Sequence, residues 1–372
     1  MDKKDRRVAV LVDSLRCGGA EKVAAQVSSC IDEVRWLLLV EGPKDEFWEP
    51  RNVSVVRLGF YDGKNIVLKG LNGLVAAFNI VRFIFRYKPD SVLSYLYLSH
   101  FVSGFTSIIT PWVKRYYSER SVLHRGRSGI KLFVYATVLR FLYKRSAGVI
   151  CISKYVMDSL VSNGFYMPKS SVIHNPVVTH ETNLYLESKN TECGRSVIEL
   201  CVVCSLSKVK NIEFLLRSLK ELNRTAVDES YLLYVYGDGT ERGRLETEAE
   251  RLGITEQVKF QGRVKDPFFI AVQHDLFVFS SHLESFGNVC IESLSVGLPL
   301  VYANNLKSFD EILGQDLKDK LSYQSGDVDS FCRTLKRVYE NRCEISKKVY
   351  ERSHFFDLDV IINRYKRALS VD

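Results

Sequence analysis

Residues 8–31 read VAVLVDSLRCGGAEKVAAQVSSCI. Val8–Val12 is an unbroken apolar run, as expected of a strand buried on both faces of a parallel sheet. From Glu21 to Ile31 the apolar residues recur at helical spacing. Between the two, Gly18 and Gly19 stand just ahead of the helix start. Glycine there lets a backbone approach a ligand closely, and a helix N-terminus favours an anion. A tight strand–helix turn asks for the same residues, so the pair alone leaves both readings open. The unit itself is strand–turn–helix, the first step of an α/β fold.

The rhythm continues outward. Strands at 36–40, 53–58, 91–95 and 148–152 alternate with helical patterns at 21–31, 74–86, 131–143 and 154–162. It pauses after His174-Asn175-Pro176, where residues 179–196 are polar and irregular, and then restarts. Strands at 197–204, 231–236, 258–261, 276–279 and 299–302 alternate with helices at 212–222, 241–252 and 289–296, and residues 328–369 read as helix. Two doubly wound, Rossmann-like halves facing a cleft are expected.

The composition fits that architecture. Of 372 residues, 46% are hydrophobic and 26% charged, which excludes a disordered or fibrous chain. Nine cysteines are scattered and odd in number, so no disulfide framework is expected and a reducing compartment fits. The opening MDKKDRR runs straight into a strand, so no secretory leader is expected. No run of 18 apolar residues is present, so no transmembrane helix is expected. The net charge of +8 is uneven: residues 1–176 hold 26 Lys+Arg against 14 Asp+Glu, and residues 177–372 hold 26 against 30. Between Asp90 and Asp158 there are ten bases and one acid, Glu119. Such a basic half implies an anionic surface or ligand.

The most informative motif is Glu284-Ser285-Phe286-Gly287-Asn288-Val289-Cys290-Ile291-Glu292. Ser285, Phe286 and Gly287 can present backbone N–H groups at a helix N-terminus, flanked by two carboxylates. Carboxylates accept strong hydrogen bonds from hydroxyls, so the set suits a ligand with phosphate in the middle and hydroxyls at each end. A sugar nucleotide has that layout. Helix capping with surface glutamates is the alternative on spacing alone.

With these residues the sequence resembles glycosyltransferase family 4, retaining enzymes of GT-B fold. Glu284 and Glu292 match the family's Glu-x7-Glu motif. Tyr236-Gly237-Asp238-Gly239 with Arg244-Leu245 looks like its Gly-Asp-Gly…Leu segment, and Val258-Lys259-Phe260-Gln261-Gly262-Arg263-Val264 like its Val-x-Phe-x-Gly-x-Val strand. The Gly18-Gly19-Ala20-Glu21 turn matches its first loop, and Ile173-His174-Asn175-Pro176 the end of its first domain. The resemblance spans nearly the whole chain. It implies an acceptor-side half at 1–176, a donor-binding half at 177–350, and a C-terminal helix, 351–372, returning to the first half.

Carried over by position, the resemblance places Glu284 on hydroxyls of the donor sugar and Glu292 on ribose hydroxyls. The Phe286–Gly287 backbone would face the diphosphate, Ser285 and Asn288 beside it would belong to the donor site, and the main chain near Val264 would meet the base. Lys210 matches the diphosphate lysine. One departure stands out: Ser205 occupies the place where the family carries an arginine on the diphosphate. Loss of a bidentate cation at a leaving group weakens catalysis unless another, such as Lys208, replaces it. Ser118-Glu119-Arg120 matches a segment that faces the acceptor in many members, with a Glu119–Arg125 surface pair as the alternative.

The expected activity is transfer of a hexose or N-acetylhexosamine from a nucleoside diphosphate sugar, UDP foremost, to a saccharide, with a lipid-linked acceptor favoured. No metal or other cofactor is expected, and no nucleic-acid partner. A sugar-nucleotide epimerase of similar fold, or a non-catalytic sugar-nucleotide-binding protein favoured by Ser205, are the alternatives. Residues 131–145 mix Lys131, Arg140, Lys144 and Arg145 with Phe133, Tyr135, Phe141 and Tyr143, and residues 81–88 have similar character. These point to peripheral binding at an anionic membrane, on the cytoplasmic face. The pair Cys201/Cys204 sits within an expected strand and reads as core, not zinc. Asp357-Leu358-Asp359 reads as helix capping, and His100, His124, His174 and His282 as lone structural histidines.

Overall fold

A computed structural model describes residues 6–15, 18–41, 49–61, 65–122, 129–167, 169–177, 183–188, 196–264 and 271–369. The chain forms two compact units, Met1–Pro176 with Leu358–Asp372, and Val177–Asp357. The first unit holds β1 (Val8–Val12), α1 (Gly19–Cys30), β2 (Val34–Leu39), β3 (Ser54–Arg57), α2 (Ile66–Tyr87) and β4 (Ser91–Tyr95). It continues with α3 (Tyr97–Thr106), β5 (Lys114–Glu119), α4 (Gly129–Lys144), β6 (Gly148–Cys151), α5 (Lys154–Ser162) and β7 (Ser170–Val172). All seven strands are parallel, in the order β3-β2-β1-β4-β5-β6-β7.

The unbroken apolar run of β1 has a direct use. Side chains alternate between the faces of a strand. Val8, Val10 and Val12 pack on one side with Val23 and Val27 of α1, while Ala9 and Leu11 pack on the other with Ala76, Ile80 and Phe83 of α2. Both faces are therefore core, as a doubly wound sheet requires.

The second unit holds α6 (Leu184–Ser188), β8 (Val197–Val203), α7 (Ile212–Thr225), β9 (Ser230–Tyr236), α8 (Arg242–Leu252), β10 (Val258–Gly262) and β11 (Leu276–Phe279). Then come α9 (Asn288–Ser295), β12 (Leu300–Ala303), α10 (Lys307–Leu321), β13 (Ser322–Tyr323), α11 (Val328–Glu340) and α12 (Arg342–Ser353). Its six strands are parallel, in the order β10-β9-β8-β11-β12-β13. Counted within each unit, both sheets begin 3-2-1-4-5-6, the first adding a seventh strand at its edge, so each has a switch point between its first and fourth strands.

The final helix, α13 (Leu358–Leu369), belongs to the first unit. Its Ile361, Ile362, Tyr365 and Leu369 join the core around β1. The returning segment thus starts at Leu358 instead of 351, because α12 is part of the second unit.

Three further differences from the sequence reading have local causes. Helix α2 starts eight residues earlier than its apolar spacing indicates. The Asn65 side chain caps it, accepting from the N–H groups of Val67 (3.0 Å) and Leu68 (3.2 Å). Helix α3 was not expected at all, because its buried positions include Ser99, His100, Ser103 and Gly104, which carry no apolar signal. Helix α10 was also unexpected; it is interrupted at Gly314 (φ 71°, ψ 172°), which breaks its periodicity.

The expectation of no membrane-length apolar helix also needs correction. Val67–Tyr87 is long and apolar enough to cross a membrane by length and composition, with mean hydropathy 1.4. Counting consecutive apolar residues missed it because Lys69, Asn72 and Asn79 interrupt the run.

Candidate active site

In open α/β sheets ligands bind beyond the carboxyl ends of the strands, at the switch point. In the second unit that point lies between β8 and β11. The chain leaving β8 forms Cys204–Asn211, and the chain leaving β11 forms Ser280–Gly287. Hydrogen bonds tie the two together. The Ser280 hydroxyl donates to the carbonyls of Lys210 (2.9 Å) and Asn211 (3.0 Å), and the His282 N–H donates to Val209 O (2.8 Å).

This stitching brings Lys210 and Glu284, 74 residues apart, into an ion pair between Nζ and Oε1. Both are largely withdrawn from water, at 16% and 9% side-chain exposure. The Ser281 hydroxyl also donates to Glu284 Oε1 (3.1 Å), and Ser308 Oγ holds the Glu284 carbonyl (3.1 Å). The site therefore presents a preorganised cation beside a carboxylate.

Gly287 follows immediately and caps α9. Its φ of 101° lies in the region that favours glycine, and a Cβ there would fall 2.5 Å from Phe309 Cε2. The α9 N-terminus thus stands next to the Lys210–Glu284 pair along the chain. Ser285 is buried, and the Phe286 side chain is buried against Phe356. Asn288 opens the helix, and Glu292, half-buried, lies four residues further along it.

Gly237 and Gly239 have a reason of their own. A Cβ on Gly237 (φ 129°) would lie 1.8 Å from Cys204 O, and one on Gly239 would lie 2.3 Å from Leu206 O. The Tyr236–Gly239 turn is packed directly under the loop that carries Ser205 and Lys210, and it shapes that loop. Val264, half-buried, follows β10, whose Gly262 carbonyl accepts from the Gly237 N–H (2.7 Å). Ser205 and Lys208 are exposed. Lys208 lines a pocket of about 380 Å³ with Glu213, Glu241, Arg244 and His282, whereas Lys210 is engaged with Glu284. The two lysines serve different surroundings. Cys201 is buried within β8, and burial pushes the Cys204 thiol up to about 12, consistent with core cysteines.

The first unit treats its expected residues differently. Glu119 is 2% exposed. Its carboxylate accepts from the Tyr143 hydroxyl (2.6 Å) and the Arg120 N–H (3.1 Å), and burial raises its pKa. Arg120 donates to Asn175 Oδ1 and to the Tyr365 hydroxyl and lies 4.8 Å over the Tyr95 ring. In the described structure their side chains tie β5 to α4, to Asn175 and to α13, and Arg120 keeps part of its surface exposed. His124 and Arg125 lie outside the described residues. His100 is buried, its ring nitrogen 3.1 Å from Ser94 O, and burial lowers its pKa to about 4.

Gly18 caps α1 with an extended φ of −143°, and the Glu21 carboxylate folds to where a Gly18 side chain would stand. The sequence reading missed Asp13, at the end of β1. Its Oδ1 accepts from the N–H (2.8 Å) and hydroxyl (2.6 Å) of Ser99, across the first unit's switch point. Between them Leu96 adopts φ 67°, ψ 168°, a conformation costing on the order of 1–3 kcal/mol for a leucine. Burial, assisted by Glu41 and Glu21, pushes Asp13 up to about 7. An aspartate closing a strand looks like turn chemistry, and its partner is 86 residues away.

Comparison with known proteins shows the family and the fold. Residues 195–354 match the family model described as glycosyl transferases group 1, and residues 18–181 match that of glycosyltransferase family 4. Relatives include the lipopolysaccharide core biosynthesis glycosyltransferases LpsE and LpsD of Rhizobium meliloti. They are 30% identical over 142 residues and 28% over 134. Those matches cover 38% and 36% of this chain but only 39% and 37% of the two relatives' lengths. Among solved structures, Anabaena HepE in complex with UDP has a TM-score of 0.77 at 17% identity, covering 98% of this chain and 99% of that one. The chain belongs to the family 4-type glycosyltransferases and has their GT-B fold.

Proposed function

We propose that the chain transfers a hexose or N-acetylhexosamine, with retention, from a UDP-sugar to a saccharide that is itself lipid-linked, in the building of a cell-surface polysaccharide. The observation that carries this reading is the buried Lys210–Glu284 pair ahead of the glycine-capped α9. A diphosphate at that helix N-terminus meets backbone N–H groups and the Lys210 ammonium, while Glu284 is free to take sugar hydroxyls as Lys210 turns to phosphate. Glu292 is the ribose acceptor. The developing charge on the leaving diphosphate is stabilised by Lys210, so turnover is expected to be indifferent to chelators. In the retaining route the diphosphate departs on the face that the acceptor hydroxyl enters, and its own oxygen assists removal of the proton. The lipopolysaccharide role in the R. meliloti relatives' names supports a saccharide acceptor on lipid. The UDP in the Anabaena structure makes UDP the first base to try. The working place proposed is the cytoplasmic membrane surface, where donor and lipid-linked acceptor can meet.

The test is a screen of nucleoside diphosphate sugars scored by release of nucleoside diphosphate, with and without lipid-linked saccharides. Release that requires both donor and saccharide, with the anomeric configuration kept in the product, supports the proposal. Donor conversion without any acceptor indicates an epimerase instead, and donor binding without release under all acceptors indicates a binding protein.

A further inference from the structure

Helix α2 is apolar on both faces. One face, with Ala76, Ile80, Phe83 and Ile84, lies in the core of the first unit. The other is bare: Val67, Leu71, Leu74, Phe78 and Phe85 recur at helical spacing in one stripe, and Leu74 and Phe78 are 70% and 67% exposed. A surface helix ordinarily turns polar residues outward. Next to this stripe, Phe105, Ile108, Ile109 and Trp112 are also exposed. The Phe85 and Trp112 rings meet edge-on at 5.5 Å, joining the two groups into one patch. Contiguous apolar surface of this kind marks an interaction site.

The charges around the patch identify what covers it. Residues 65–118 contain a single acid, Asp90, whose carboxylate accepts from the Arg7 N–H (2.7 Å). Arg82 falls beside the stripe, Arg86 and Lys88 stand at the end of α2, and Lys114 follows Trp112; all four are exposed. A second copy docking by the same patch would set these bases against each other. An anionic bilayer answers both features, with the apolar stripe at the acyl boundary and the bases among headgroups. The tryptophan at the edge and the long basic stems suit that boundary. The opposite face of α2 is core, so the helix lies in the membrane plane and does not cross it.

Of the two segments the sequence offered for this role, 81–88 lies on α2 and its end, and 131–145, mostly α4, is less suited. Tyr135 and Tyr143 are buried, and Arg140 donates to Asn163 O (2.6 Å) and lies over the Phe165 ring. We infer that the exposed face of α2 and residues 105–112 form an in-plane docking surface for an anionic lipid bilayer. The inference deepens the proposed lipid-linked acceptor and rests on that reading for its purpose.

The test partitions the full chain, without nucleotide or acceptor, between buffer and vesicles of equal parts phosphatidylglycerol and phosphatidylcholine, with pure phosphatidylcholine as reference. Leu74→Ser with Phe78→Ser should weaken partition at least roughly tenfold. Arg82→Gln with Arg86→Gln and Lys88→Gln should weaken it roughly 100-fold on anionic vesicles and leave the reference unchanged. Lys144→Gln with Arg145→Gln, at the end of α4, should change it less than about threefold. The unmodified chain gives a readout independent of those variants: anionic vesicles should blue-shift its tryptophan emission, and Trp112→Phe should abolish the shift. Undiminished partition in both α2 variants, loss confined to the α4 variant, or absence of the Trp112 shift overturns the inference. So does a dimer in lipid-free sedimentation that Leu74→Ser with Phe78→Ser converts to monomer. Failure of the lipid-linked acceptor reading would leave partition intact. Failure of docking would leave nucleoside diphosphate release with a detergent-dispersed acceptor intact.

Discussion

The two switch points of this molecule share a strand order and carry opposite chemistry. In the second unit the ends of β8 and β11 hold Lys210, Glu284 and a glycine-capped helix N-terminus. In the first, the ends of β1 and β4 hold Asp13, bonded to Ser99, with Glu21 folded over the start of α1. One place sets a lysine beside a glycine-capped helix N-terminus, and in the other a carboxylate lies over the helix start. Topology supplies the crevice, and the few residues leaving the strands decide what enters it.

The largest effect expected from breaking this contrast is at Lys210. Lys210→Ala should lower kcat at least about 100-fold, the usual consequence of removing one preorganised group from a developing anion. A loss below about threefold would take Lys210 off the diphosphate. Ser205→Arg is the companion: if the family's missing cation limits the rate, turnover should rise.

Next are the two capping glycines. Gly287→Ala forces a side chain into a left-handed conformation against Phe309 and should destabilise by about 2–4 kcal/mol in urea unfolding. Gly18→Ala, with an ordinary φ and only the movable Glu21 carboxylate in the way, should cost less than about 1 kcal/mol. Equal costs would mean that the two turns are built alike.

The smallest effect concerns Asp13. Its folded pKa, about 7, lies above the ordinary 3.8, so the folded chain holds this proton more tightly than the unfolded chain. Stability from this group is therefore full below about pH 4 and declines as pH rises towards 7. Its side chain is only half-buried, and solvent screening reduces the effect to about 1 kcal/mol. Asp13→Asn should flatten that decline, read as melting temperature against pH; an unchanged slope would assign the carboxylate no strain.

Much of this was legible in the residue order, for physical reasons. The strand of five apolar residues at Val8 needs two covered faces, and the Glu284–Glu292 spacing lies within one turn and helix. What could not be read depends on partners far along the chain. The Lys210–Glu284 and Asp13–Ser99 contacts span 74 and 86 residues. The partners of Glu119 and Arg120 also lie further along the chain: Tyr143, Asn175 and Tyr365. Helix α2 carries apolar residues on two faces, so its periodicity alone does not say which of them is outside. Helix α3 hides because serines and a histidine stand where the period asks for leucines.

The central proposal is that the second unit's switch point binds the donor nucleotide and that Asp13, at the first unit's, takes no part in that binding. Calorimetric titration of UDP into the full chain tests it directly, with Glu292→Ala and Asp13→Asn as the paired variants. The account predicts that Glu292→Ala weakens binding by roughly 1.5–3 kcal/mol, the worth of hydrogen bonds to a charged group, while Asp13→Asn leaves it unchanged. Unchanged affinity in a folded Glu292→Ala chain, with affinity lost in Asp13→Asn, would contradict it.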